Sequence, residues 1–296
     1  MNVPHWSLLF LFALFAIAFK PENENIKKLA AQSLETQKKI PTINAALINR
    51  DGQTINTRFR LPDGFQRVQS PENSFTTYLQ TLPLKPHDTK VKYYNGATKE
   101  ATGVYAAVID MDIGKRDLQQ CADAIMRLRA EYLWAQEKYE DIHFNFTNGF
   151  QVTYQKWMDG YRMKVKGNKT NWYKAKAPSN TYKDFRSYMN LIFAYAGTLS
   201  LSKELPTAAF DAMKIGDIFI QGGSPGHAVI VVDMAINPET GKQLFLLAQS
   251  YMPAQDIQIL QNPMNESFSP WYSNQFFGDL ITPEWRFERT DLKRFE

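Results

Sequence analysis

Gly226-His227-Ala228-Val229-Ile230-Val231-Val232-Asp233 sets a histidine at the mouth of a run too apolar to be anything but a buried strand. The loop before it, Gly222-Gly223-Ser224-Pro225, is small and open enough for a ligand's backbone to approach. Upstream, Asp217 to Gln221 reads as a partner strand. Downstream, the turn Asn237-Pro238-Glu239-Thr240-Gly241 leads into a strand from Gln243 to Gln249, and a further strand lies around Ile257 to Leu260. If the strands on either side of that turn are antiparallel neighbours, Gln249, a polar residue ending the apolar run Leu244 to Ala248, can reach His227 and hold its ring in one tautomer.

A histidine in such a position invites a search for a nucleophile, and the chain contains one cysteine, Cys121. It lies at the start of the strongest helical pattern, Leu118 to Tyr139. There Leu118, Cys121, Ile125, Leu128, Tyr132, Ala135 and Tyr139 form one stripe, with Asp117 as the expected N-cap. A helix N-terminus favours thiolate over thiol, whereas the nearby Asp123 opposes it. A lone cysteine is also open to other readings: an intermolecular bridge, or a small core side chain.

Between these motifs, Val104 to Asp110 reads as a buried strand, Tyr161 to Lys166 turns at Gly167-Asn168 into a hairpin, and Tyr182 to Tyr195 reads as a helix opened by Ser179 or Asn180 and stopped by Gly197. His143, Asn145, Thr147 and Asn148 alternate with Phe144, Phe146 and Phe150, as in a strand with one wet face. His143, Asn145, Trp157 and Tyr251 are therefore candidate groove-lining residues. Helix first and antiparallel strands after predicts an α+β fold.

The N-terminus bears on the compartment. Trp6 to Phe19 is an apolar run short for a bilayer span and followed by a polar stretch, as in a secretory signal peptide cut after Ala18; an uncleaved anchor is the other reading and the one route to a membrane. Residues 19–60 read as a polar arm with a helical candidate at Ile26 to Lys38, and residues 61–296 as one domain. Hydrophobic residues make up 44% and charged residues 22%, enough apolar content for a substantial core. The net charge of +4 suits contact with an anionic envelope polymer. The basic run from Arg162 to Lys176 with Trp172 and Tyr173 has the composition of a nucleic-acid surface, but export argues for a solvated hairpin face instead. The histidines have no paired ligand spacing and there is no second cysteine, so neither a metal nor another cofactor is expected.

Four segments in order, Gln119-Gln120-Cys121, Ile215 to Ile220, Gly226 to Val231 and Leu247 to Tyr251, resemble the papain-like CHAP and NlpC-type cell-wall hydrolases. The resemblance implies a helix carrying the cysteine packed on an antiparallel sheet, with Cys121 as nucleophile, His227 as base and Gln249 as orienter. It places Gln119, Gln120, Gln221, Ser224 and Gly226 around the oxyanion and substrate groove. Ala122-Asp123 after the cysteine, and Gln as third residue, depart from the common pattern. From about Leu61 to Phe295 the chain also resembles a secreted bacterial family, domain of unknown function 4846, through Arg116 to Asp123, His143 to Phe150, Gln221 to His227 and Gln249 to Gln255. The expectation is a secreted or envelope cysteine amidase or peptidase acting on cell-wall peptide. A silent relative that binds envelope glycan or peptide in the same groove is the alternative, and a surface assembly protein a third.

Overall fold

Nine of the ten residues from His227 to Ile236 are buried, because this strand is covered on both faces and flanked by strands on both sides. The computed structural model describes residues 47–296; the leader and the helical candidate at Ile26 to Lys38 lie outside the described residues. Along the chain, α1 (Ile55–Arg58), β1 (Gln66–Arg67), α2 (Phe75–Gln80) and β2 (Tyr105–Val108) precede the long helix α3 (Cys121–Ala135). A small hairpin, β3 (His143–Asn145) and β4 (Gln151–Thr153), leads to α4 (Tyr154–Met158). A second hairpin, β5 (Tyr161–Lys166) and β6 (Lys169–Lys174), is followed by helices α5 (Tyr182–Tyr195) and α6 (Thr198–Glu204). Then come β7 (Ile218–Gln221), β8 (His227–Ile236), β9 (Gln243–Gln249), β10 (Gln258–Leu260), β11 (Tyr272–Ser273), β12 (Leu280–Ile281), β13 (Arg286–Phe287) and β14 (Leu292–Lys293).

The main sheet runs β14-β7-β8-β9-β10-β2, with β1 added to β8 and β11 to β9, and each of these pairings is antiparallel. The protein is therefore α+β with an antiparallel sheet. The β7–β8 register sets Gln221 opposite His227, and the β8–β9 register sets Ile230 opposite Ala248, so Gln249 comes alongside the start of β8. The turn between β8 and β9 is held by Asn237, whose Oδ1 accepts from the amides of Glu239 and Thr240, with Gly241 at φ +69°. Val229, Val231 and Val232 have no exposed surface. Burying a side chain of this size contributes roughly 1.5–3 kcal/mol, which is why the apolar run cannot slip in register.

Helix α3 lies against β8 and also contacts α2, α5 and α6. It is buried almost all round rather than along the single stripe the spacing predicts: Ala122, Ala124, Met126 and Arg127 are as inaccessible as Ile125 and Leu128. It begins at Cys121, three residues later than expected, with Gln120 as N-cap and Asp123 Oδ2 accepting from the Gln120 amide at 3.0 Å. Asp117 is engaged elsewhere, accepting from the Ala254 amide at 2.7 Å. The helix stops at Ala135, since Glu137 adopts φ +56° and a 3-10 turn occupies Tyr139–Asp141. Helix α5 has the expected limits, but Thr181 caps it, accepting from the Asp184 amide at 3.2 Å. The His143 to Phe150 segment is a strand and a turn, not one strand, because Gly149 at φ +83° reverses the chain toward β4.

Residues 47–60, read from the sequence as part of a polar arm, belong to the folded body: Leu47, Ile55 and Phe59 are in the core. Arg58 is buried there too, and its Nε donates to the Gly52 carbonyl at 2.7 Å. Its charge disguised the segment in the sequence.

Candidate active site

A groove of about 340 Å3 opens where the N-terminus of α3, the start of β8 and the loop before α6 meet. Cys121, the first residue of α3, and His227, the first of β8, both line it, together with Gln120, Asp123, Ser224, Gly226, Tyr251 and Trp285. Residues 106 positions apart in the chain thus share one wall, because α3 packs along β8. Gly226 permits the approach. A Cβ there would fall 2.5 Å from Thr198 Oγ1 and 2.8 Å from the Gln221 carbonyl, so a side chain would push the strand start away from α6.

His227 is 1% exposed and held among aromatic rings, with Tyr251 at 4.7 Å, Trp285 at 5.4 Å and Phe287 at 6.0 Å between centroids. Its Nε2 lies 2.8 Å from Gln249 Oε1. Gln249 in turn donates from Nε2 to Glu284 Oε2 at 2.6 Å, and Lys99 Nζ donates to both Glu284 oxygens at 2.7 Å. This chain of contacts determines a tautomer. An ion-paired carboxylate only accepts, so the amide NH2 of Gln249 must face Glu284 and its carbonyl must face His227. A carbonyl also only accepts, so His227 carries its proton on Nε2 and leaves Nδ1 as a lone pair. Nδ1 has no hydrogen-bond partner among the described residues. Lys99 is itself placed by Gln255 Oε1 at 3.0 Å.

The electrostatics of the pair are those of neutral groups. Burial, then the nearby Asp123, push the Cys121 thiol up to about 11, while the amides of Ala122 and Ala228 pull the other way. Ala228 adjoins His227, so the thiol sits at the histidine's own stretch of backbone. Burial lowers His227 to about 4, against the pull of Gln249 and Glu284. Asp123, almost fully buried, is pushed up to about 8 by desolvation, and its Oδ1 has no partner. At neutral pH the site therefore holds a thiol, an imidazole and a carboxyl that is mostly protonated. The first-turn amides of α3 have no intrahelical acceptor, which makes them donors for an oxyanion formed beside Cys121.

The remaining residues expected at the site are distributed as follows. Gln120 lines the groove, with its Nε2 donating to Asp117 Oδ1 at 3.1 Å. Gln119 points away from it, fully buried, with Oε1 accepting from Arg127 Nη1 at 2.6 Å. Gln221 stands behind the groove and accepts from Trp285 Nε1 at 3.0 Å, so it positions a lining ring. His143 and Asn145 lie elsewhere, engaged with Glu204: His143 Nδ1 is 3.4 Å from Oε1, and the Asn145 amide donates to Oε2. Trp157 is buried under the Arg162 guanidinium at 3.8 Å. Sequence reasoning missed Lys99 and Glu284. The only signal was Pro283-Glu284-Trp285, a charge set within an aromatic tail.

Among the described residues no group of three His, Cys, Asp or Glu side chains could hold a metal ion, and no helix is long and apolar enough to cross a membrane. No curated protein and no solved structure matches the chain. A family model does, over residues 55–294, which span β8, Cys121, Gln249 and Glu284 alike, so the chain belongs to the family described as Domain of unknown function (4846).

Proposed function

We propose that this protein is a papain-like cysteine amidase or peptidase, with Cys121 as nucleophile, His227 as base and Gln249 as orienter. The observation that carries the reading is the contact chain from Lys99 through Glu284 and Gln249, which leaves Nδ1 without a partner on a histidine that lines the same groove as Cys121. In the reaction, Cys121 Sγ attacks the amide carbonyl carbon as His227 Nδ1 takes the thiol proton. The amides at the start of α3 receive the oxyanion. His227 returns the proton to the leaving amine, and water then hydrolyses the thioester. The apolar run Trp6 to Phe19 supports export, and with it a cell-wall peptide as substrate in the envelope or outside the cell.

One observation favours a second reading, a silent relative that binds glycan or peptide in the groove: burial raises the Cys121 thiol rather than lowering it. Hydrolysis of amide bonds in wall-derived peptides, followed by mass spectrometry, separates the two. The enzyme reading expects turnover that is lost in both Cys121→Ala and His227→Ala while each variant still unfolds in one cooperative transition. Peptide binding without any cleavage by the wild type would establish the binder.

A further inference from the structure

A second cavity, about 630 Å3, lies between the loop at 110–116, helix α3 and helix α5. Its walls carry five cations, Lys115, Arg116, Arg127, Lys183 and Arg186, against three acids, Asp110, Asp112 and Glu131. Glu131 is already engaged, its Oε1 accepting from Arg127 Nε at 3.1 Å and from the Tyr182 hydroxyl at 2.8 Å. Arg127 is 3% exposed and is fixed further by Gln119 Oε1 and the Asp112 carbonyl. Arg186 differs from it. Its guanidinium makes no hydrogen bond or ion pair among the described residues, and its Nη1 is buried without a partner. Burial and then the charge of Arg127 lower its pKa from the ordinary arginine value, against a weaker pull from Glu131 and Asp112, so Arg186 has carboxylates nearby but none bonded to it. An arginine stays charged under such conditions, and a half-buried guanidinium with no partner of its own is matched by a planar, bidentate oxyanion.

We infer that this cavity is a binding site for the carboxylate of a short peptide, with Arg186 as the anchor and Arg127 as the fixed second charge. A carboxylate fits the fork in one plane. The volume accommodates a ligand of a few residues, and Asp110 and Asp112 on the loop offer acceptors for the peptide's amine. Leu118 lines both this cavity and the groove holding Cys121, so the two are neighbours across one side chain. The inference does not depend on Cys121 acting as a nucleophile.

The test is calorimetric titration of the full chain with the dipeptides Glu-Glu and Lys-Lys and with inorganic phosphate, in the wild type, Arg186→Gln, Arg186→Lys and Cys121→Ala. The expected result is binding of Glu-Glu, with its three carboxylates, at least about tenfold tighter than of Lys-Lys, whose single carboxylate comes with three ammonium groups; Glu-Glu binding is weakened at least about tenfold by Arg186→Gln and unchanged by Cys121→Ala. Arg186→Lys, which keeps the charge but not the fork, should fall between. Should the Arg186 variants fail to fold, Glu-Glu must still protect Arg186 of the wild type from phenylglyoxal, read by peptide mass mapping. Absence of Glu-Glu binding, equal binding in a folded Arg186→Gln, no protection of Arg186, or tighter binding of phosphate than of Glu-Glu would each overturn the inference. Activity lost in Cys121→Ala with Glu-Glu binding intact bears only on the groove.

Discussion

Replacing Glu284 by Gln tests the contact chain behind His227 without changing its shape. The carboxylate receives three hydrogen bonds, two from Lys99 at 2.7 Å and one from Gln249 at 2.6 Å. Lys99 is 4% exposed and Glu284 22%. Removing one partner of a buried ion pair destabilises by about 3–5 kcal/mol. The lower end applies here, since Glu284 is partly wet and a glutamine carbonyl can still accept from Lys99, which also keeps Gln255. At about 2–4 °C per kcal/mol for a domain of this size, Glu284→Gln should melt roughly 6–12 °C below wild type. Its second effect is on the tautomer. A glutamine at 284 can offer either end to Gln249, so the Gln249 amide is free to flip and His227 Nε2 no longer has to carry the proton. Long-range 15N–1H spectra of the imidazole report this directly: a bare Nδ1 and protonated Nε2 in wild type, a mixture in the variant. Lys99→Met is the companion, for it removes the charge but leaves Glu284 an acceptor, so stability falls while the tautomer stays. Wild-type His227 protonated on Nδ1, or Glu284→Gln with an unchanged tautomer, would refute the reasoning.

Three further outcomes follow from the same geometry. Folding lowers His227 from 6.5 to about 4, so the unfolded chain binds the extra proton in between. Stability on this account is intact above about pH 6.5 and is lost progressively as pH falls toward 4, by an upper bound of about 3 kcal/mol; urea midpoints of wild type and His227→Gln should converge on acidification over that window. Asp123 raises the thiol pKa, and an asparagine there can still cap Gln120. Asp123→Asn should therefore speed Cys121 alkylation by iodoacetamide at pH 8, about tenfold for each unit by which the thiol pKa falls, and an unchanged rate counts against the electrostatic account. Gly226→Ala puts a methyl against Thr198 Oγ1 and two backbone carbonyls, an overpacking of about 1–3 kcal/mol that should lower the melting point and displace His227, visible as loss of its bond to Gln249.

The parts of this architecture legible in the sequence are those with a local periodic cause. β8 announces itself because a strand covered on both faces must be apolar at consecutive positions, and Gln249 stands out because it ends such a run. The apolar stripe puts Cys121 on a helix, and the helix is there, but it starts three residues later than the stripe predicts, since Asp117 is drawn to Ala254, a partner 137 residues away. Lys99 and Glu284 were invisible for the same reason. They meet 185 residues apart, from segments outside named strands or helices, and the burial of Lys99 depends on Glu284 and Gln255 together. The absorption of residues 47–60 into the core was hidden by Arg58, whose guanidinium donates from Nε to the Gly52 carbonyl and from Nη2 to the Lys85 carbonyl and keeps Nη1 buried without a partner.

The balance of proton affinities limits the form that the proposed cysteine chemistry can take. With the thiol at about 11 and the imidazole at about 4, moving the proton from Cys121 to His227 in the empty groove is uphill by seven units, on the order of 10 kcal/mol. Even charges in direct contact, at an effective dielectric of about 20, would return only about 4 kcal/mol. A preformed thiolate–imidazolium pair is therefore not the resting state, and a buried thiol of this kind resists alkylation at neutral pH. Under the proposed mechanism the proton must leave the sulfur as the carbon–sulfur bond forms. Negative charge then passes directly to the carbonyl oxygen at the α3 amides, and positive charge is spread over an imidazole backed by Gln249 and Glu284. That makes the orienting chain from Lys99 to His227 more consequential here than in a site with a free thiolate, because the base is needed in the attacking step itself. It also means that a slow iodoacetamide reaction alone does not argue against catalysis, whereas loss of peptide cleavage on altering the His227 tautomer argues for it.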